Sequence, residues 1–178
     1  AVHGVRHFRP GHGPKTYEYG TGGLAVALSA ALGWSVARIG RADVGAADAN
    51  YDSAHPLKAA LVSAGLATPG SVLVDIHGMN DRFLPIELSV GLAQESPKSV
   101  DMALAFAASA ERFDTTLDIG ARTTGLTGRH HGSMTYWAQE RGGMAVQLEV
   151  AAYMRRRAQN LYARLRLLRI LKAACTDL

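Results

Sequence analysis

The order of apolar and polar positions divides the chain into alternating short strands and helices. Ser71–Ile76 (SVLVDI) is a β-branched apolar run behind Pro69-Gly70 and reads as a buried strand. It runs into His77-Gly78 and a polar loop, Met79–Arg82. Met144–Val150 (MAVQLEV), introduced by Gly142-Gly143, reads as a second strand with Glu149 near its end. Trp34–Ile39 (WSVARI) reads as a third, and Ile86–Leu92 (IELSVGL) alternates like a half-exposed strand. Thr115–Ile119 is a short strand or the approach to one.

Between them lie helical patterns. Thr21–Leu32 is rich in Ala and Leu and is closed by Gly33. A helix opens at His55-Pro56, with proline in its first turn, and runs to about Ala64. Ser99–Arg112 has helical periodicity, with Met102, Leu104, Ala105, Phe106 and Ala108 available for a core. Ser133 is placed to cap a turn running to Arg141. From about Ala151 to Ala174 a single helix is expected, with Leu161, Leu165, Leu168 and Leu171 as its apolar face and arginines over much of the rest. Ala1–Gly20, Asp43–Asp52 and Gly120–Gly132 read as loops. The pattern predicts an α/β three-layer domain, with a mixed, mostly parallel sheet flanked by helices, plus a C-terminal basic amphipathic helix. The domain is expected over residues 1–157, with residues 158–178 as a helix packed on it or on a partner subunit.

Composition narrows the class. With 178 residues, 48% hydrophobic and 19% charged, the chain has enough apolar surface for one full core and is not of the disordered kind. No apolar run reaches the length of a membrane span, and no membrane partner is expected. One cysteine, Cys175, excludes an internal disulfide and a cysteine-rich zinc site. The net charge of +4 is unevenly placed. Residues 151–178 carry seven basic side chains and one acid, hence +6, which leaves −2 on residues 1–150. A basic terminal element is not the charged face or groove of a nucleic-acid-binding domain, so nucleic acid is not expected as a partner. Val2-His3-Gly4 looks like the end of a strand whose beginning is missing; cytoplasmic placement is the expectation.

In open α/β sheets ligands bind just beyond the carboxyl ends of the strands. His77 stands at such an end, with Gly78 letting something approach the backbone. His3 would follow an initial strand, Glu149 lies late on another, and Glu18 sits in the loop before the first helix. Two imidazoles and a carboxylate are a common ligand set for catalytic zinc, and a further glutamate could take the proton of the activated water. Each residue also has a plain reading: His77 as a hydrogen-bonded strand end, Glu18 as a solvated loop acid. Glu149 is harder to set aside, because an ionised carboxylate rarely sits unpaired in a central strand.

VDIHG, ELSVGLA and GGMAVQLEVAAYMR together give the chain a likeness. It resembles the N-formylglutamate amidohydrolase and poly-γ-glutamate hydrolase group, zinc-dependent amidases with a core similar to the zinc carboxypeptidases. The matching pieces are Val2-His3-Gly4, Glu18-Tyr19-Gly20-Thr21, Ile76-His77-Gly78 and Gly142-Gly143-Met-Ala-Val-Gln147-Leu148-Glu149. The resemblance spans most of residues 1–157 and implies a zinc amidohydrolase-like catalytic domain there. It implies His3, Glu18 and His77 as ligands of Zn2+ and Glu149 as catalytic acid/base. It also implies an arginine for a substrate carboxylate, for which Arg82 and Arg129 are the candidates, and hence a small-molecule or short-peptide substrate. The interval from His3 to Glu18 is long, so His7 or His12 is an alternative to His3; His130-His131 is a further histidine pair. The competing class is a non-catalytic binding module on a degenerate hydrolase fold, its basic C-terminal helix taking an acidic partner. Metal-free esterase chemistry ranks low without a G-x-S-x-G elbow. Association into a homo-oligomer is left open.

Overall fold

A computed structural model describes residues 7–9, 13–15, 18–39, 47–80, 87–91, 97–122, 132–156 and 160–178 of the chain. Its strands are β1 (His7–Arg9), β2 (Gly13–Lys15), β3 (Val72–Met79), β4 (Leu88–Gly91), β5 (Ile119–Arg122) and β6 (Met144–Ala151). Its helices are α1 (Thr21–Leu32), α2 (Pro56–Ser63), α3 (Pro97–Phe113), α4 (Met134–Glu140), α5 (Ala152–Arg155) and α6 (Leu161–Thr176). The main sheet has the order β3-β6-β4-β5, parallel at both outer pairs and antiparallel where β4 meets β6. It is a mixed, mostly parallel sheet between helices, the expected three-layer α/β arrangement.

Period-two alternation sorts the side chains of β3 and β6 onto two unlike faces. Val74, Ile76, Val146, Leu148, Val150, Leu88 and Val90 point toward α1, α3 and α6, where Leu24, Phe106, Leu167 and Ile170 complete an apolar core. The other face is covered by α2 and α4, through Leu61, Met134 and Trp137 packed near Ala145 and Leu73. On that second face the rows Asp75/Gln147 and His77/Glu149/Ser89 are polar and buried. The sheet therefore has one oily face and one that carries a block of buried polar side chains.

Local signals account for most boundaries. Gly33 adopts φ 70° at the end of α1, a left-handed conformation that suits glycine. His55 caps α2 by accepting from the Leu57 N–H through Nδ1, and Ser133 caps α4 by accepting from the Tyr136 N–H.

Several expectations need correction. Trp34–Ile39 makes no strand; it runs beside the outer edge of β3, with a cavity of about 360 Å³ between them lined by Leu28, Trp34, Val36, Leu61, Leu73 and others. The N-terminal stretch expected to be loop contains the β1–β2 pair. β4 is buried at all four positions instead of half-exposed, because it lies inside the sheet between β6 and β5. Of the two readings of Thr115–Ile119 the approach to a strand holds: Thr115 and Thr116 form a turn, and β5 begins at Ile119.

The expected continuous C-terminal helix is broken between α5 and α6. The apolar stripe also needs re-phasing. Leu161 and Leu165 are exposed, whereas Ala163, Leu167, Ile170, Leu171, Ala174 and Cys175 face the core. Small alanines on the buried stripe let α6 sit close to α1 and α3, which a leucine count does not reveal. Among the described residues no helix is long and apolar enough to cross a membrane.

Candidate metal centre

β3 delivers Asp75 and His77 to the same face, two residues apart, and β6 delivers Gln147 and Glu149 directly beside them. Four polar groups thus stand in a two-by-two block, with side chains of adjacent strands about 5 Å apart. All four are at most 6% exposed, so water does not compete strongly for their hydrogen bonds. Ser89 extends the His77/Glu149 row on β4; it is fully buried, and its hydroxyl has no partner among the described residues.

His77 is held from both sides. Its Nε2 lies 2.9 Å from Asp75 Oδ2 and 3.4 Å from the side-chain amide nitrogen of Asn50. Asn50 is itself fixed, since its Oδ1 accepts from the Met134 N–H at 2.9 Å and its own N–H donates to Asp48. On the far side, His77 Nδ1 is 3.6 Å from Glu18 Oε2. That oxygen also accepts from the Gly78 N–H at 2.8 Å, so the loop carboxylate is docked on the outer edge of β3 and is only 22% exposed. Burial disfavours an imidazolium, but the carboxylates of Asp75 and Glu18 outweigh it and hold the His77 pKa well above its ordinary value. The site stabilises positive charge at His77 Nδ1.

This donor chemistry fits a metal. With Nε2–H donating to Asp75, Nδ1 is the nitrogen that would give up its proton to a metal, the arrangement by which second partners orient a metal-binding histidine. A spacing of 3.6 Å between Nδ1 and Glu18 Oε2 is close to the separation of neighbouring ligands in a tetrahedral zinc sphere, about 3.4 Å for bonds of about 2.1 Å. Glu149 Oε1 accepts from Gln147 Nε2 at 2.9 Å, which aims the carboxylate from the strand next to His77.

The structure thus brings together Glu18, His77 and Glu149 of the expected set. His3, Arg82, Arg129, His12 and His130-His131 lie outside the described residues. His7 is in β1. Among the described residues no group of three or more His, Cys, Asp or Glu side chains is arranged to hold a metal. Asp75 and Asn50 were missed in the sequence. The signal for Asp75 is readable in retrospect: an acid two residues before the histidine in an apolar strand (Asp75-Ile-His77), matched by Gln147-Leu-Glu149. Asn50 arrives from a loop 27 positions away and leaves no such signal.

Elsewhere, Lys58 is buried and donates to the carbonyls of Asp52 and Gly132, tying the start of α2 to the chain just before α4. Burial lowers its pKa, with Asp52 and Asp48 opposing. The apolar cavity beside β3 shares only Asp75 with the polar cluster.

Comparison with protein-family models, with curated proteins and with solved structures finds no match to this chain.

Proposed function

We propose that this chain is a zinc-dependent amidohydrolase that cleaves the amide bond of an N-acyl amino acid, of the N-formylglutamate kind, or of a γ-glutamyl peptide. The observation that carries the reading is the Asp75–His77–Glu18 line: a buried histidine oriented by one carboxylate and facing a second across a metal-sized gap. Glu18 and His77 would hold the ion, with His3 as the third ligand implied by the resemblance and His7 or His12 as its alternatives. When bound, zinc supplies Lewis acidity, polarising the scissile carbonyl and making water a nucleophile near neutral pH.

The chain's own groups do the rest. Asp75 keeps the proton on Nε2 of His77 and so leaves Nδ1 as the nitrogen that would hold the ion. Glu149, on the neighbouring strand, takes a proton from the attacking water and returns it to the leaving nitrogen. Gln147 fixes the Glu149 rotamer by its hydrogen bond. Arg82 or Arg129 would pair with a substrate carboxylate through a bidentate contact. The rival reading, a polyanion-binding module built on the basic helix, is weakened by the engagement of Arg155, Arg164 and Arg166 with internal partners.

Metal analysis of the purified chain, followed by a hydrolysis screen over N-acyl amino acids and γ-glutamyl peptides, tests the reading. His77→Ala should lose zinc and activity together, because a three-ligand site missing one ligand holds its metal weakly. Full zinc occupancy in that variant would overturn it.

A further inference from the structure

We propose that Arg155 is the positioning residue of this site, locking Glu18, His77 and Glu149 into one constellation through the backbone beside each. The proposal rests on reading those three residues as the site. Arg155 is the last residue of α5 and is 5% exposed. Its Nε donates to the Val150 carbonyl at 3.0 Å, one Nη to the Met79 carbonyl at 3.1 Å, and the other Nη to the Tyr19 carbonyl. Val150 follows Glu149, Tyr19 follows Glu18, and Met79 lies two residues past His77. One planar fork therefore gathers the ends of β3 and β6 and the loop that brings Glu18 to them. A guanidinium can do this because its donors diverge in a plane, at angles matched to several acceptors at once.

The surroundings are shaped to admit it. A Cβ at Gly78 would overlap the guanidinium itself, so the glycine after His77 is there for Arg155 to lie across the strand. A Cβ at Gly20 would overlap the Arg155 carbonyl, and Gly20 has φ 87°. That carbonyl in turn accepts from Arg164 Nη1 at 2.8 Å, so α6 holds the residue that holds the site. Turning Arg155 inward also coincides with the break between α5 and α6. The close approach to Gly78 that the sequence suggests is thus made by the chain's own arginine.

A positioning role predicts a local loss, separable from loss of fold. In Arg155→Lys the charge and stem remain, but one ammonium cannot span three carbonyls. The Tyr19 loop loosens, and Glu18 leaves the Gly78 N–H that it now accepts. Hydrogen exchange followed by NMR should show the Gly78 amide exchanging faster by about tenfold or more, while Leu148 in the central strand keeps its protection. This readout needs no metal. Titration with Zn2+ should then show affinity lower by about 10–100-fold than in the parent chain. If Gly78 and Leu148 lose protection equally, or Gly78 loses none, Arg155 is a structural residue only and the proposal is overturned. If the parent chain binds no zinc but the selective exchange is seen, the metal reading falls and the positioning role stands. Should Arg155→Lys not fold, Arg164→Met removes the support of the Arg155 carbonyl instead. It should give the same selective change in smaller degree, and uniform or absent change there would equally overturn the proposal.

Discussion

Replacing Arg166 by methionine isolates what ties α6 to the sheet, and its effect should depend on pH in a calculable way. Arg166 donates from Nε to Asp114 Oδ2 at 2.6 Å and from Nη1 to both oxygens of Glu87 at 3.0 and 3.1 Å. The three side chains are 19%, 18% and 10% exposed in that order, so the bridge lies at the rim of the fold, within reach of solvent screening. The Arg166 hydrogen bond, joined by the Thr116 hydroxyl, lowers the Asp114 pKa from 3.8 to about 2. At about 1.4 kcal/mol per unit that shift would be worth about 2.4 kcal/mol, and solvent screening at the surface reduces it to about 1 kcal/mol. Among the described residues Glu87 would keep only the Asp118 N–H, at 3.2 Å. Stranding that partly buried carboxylate costs about 1–2 kcal/mol. Arg166→Met should therefore destabilise the fold by about 2–3 kcal/mol at neutral pH, read as a lower urea midpoint at unchanged slope. Because the folded-state pKa of Asp114 is depressed, its share is fully present above about pH 4 and is lost as pH falls toward about 2. The stability gap between parent and variant should narrow by about 1 kcal/mol across that window. A gap below about 0.5 kcal/mol at neutral pH, or one that stays constant down to the lowest pH at which both fold, would refute the reasoning.

The re-phased face of α6 separates two leucines: Leu171→Ala should cost about 2–5 kcal/mol, whereas Leu165→Ala should stay within about 0.5 kcal/mol. Equal losses in urea unfolding would return the helix to the leucine stripe expected from spacing. Cys175 is buried, and burial pushes its thiol up to about 12. A thiol reagent at neutral pH should leave it unmodified in the native chain and react at once in denaturant; rapid native labelling would contradict the packing of α6. Glu149→Gln keeps the hydrogen-bonding shape but removes the base, so zinc should remain while turnover falls by about 10²-fold or more. Near-normal hydrolysis by that variant would return Glu149 to a structural role.

Local chemistry alone determined a good part of this protein. Periodicity and capping gave α1 with its Gly33 stop, α2 with its early proline, α3, the Ser133 cap, and the two long strands. These depend on interactions within a few residues, which sequence spacing records directly. The same spacing set His77 at the end of a strand and Glu149 inside another; the structure carries β3 on to Met79, so that His77 lies within it, and makes the two register neighbours. Other features were decided only by tertiary packing. Trp34–Ile39 has strand composition but makes no ladder, because pairing depends on what lies beside a segment and not on its residues. The buried stripe of α6 runs through alanines that count for little on any hydropathy scale, yet they set how near α1 and α3 can come. Asn50 and Arg155 reach the site across 27 and 76 positions of sequence, Asn50 to stand beside His77 and Arg155 to donate to the Met79 carbonyl. Such contacts leave no periodic trace, since a hydrogen bond between distant segments constrains two residues and nothing between them. The arginines of the C-terminal segment make the point most plainly. Read as a string they are a basic tail; folded, Arg155, Arg164 and Arg166 are internal cross-links, because buried carbonyls and carboxylates must find donors wherever the chain can supply them.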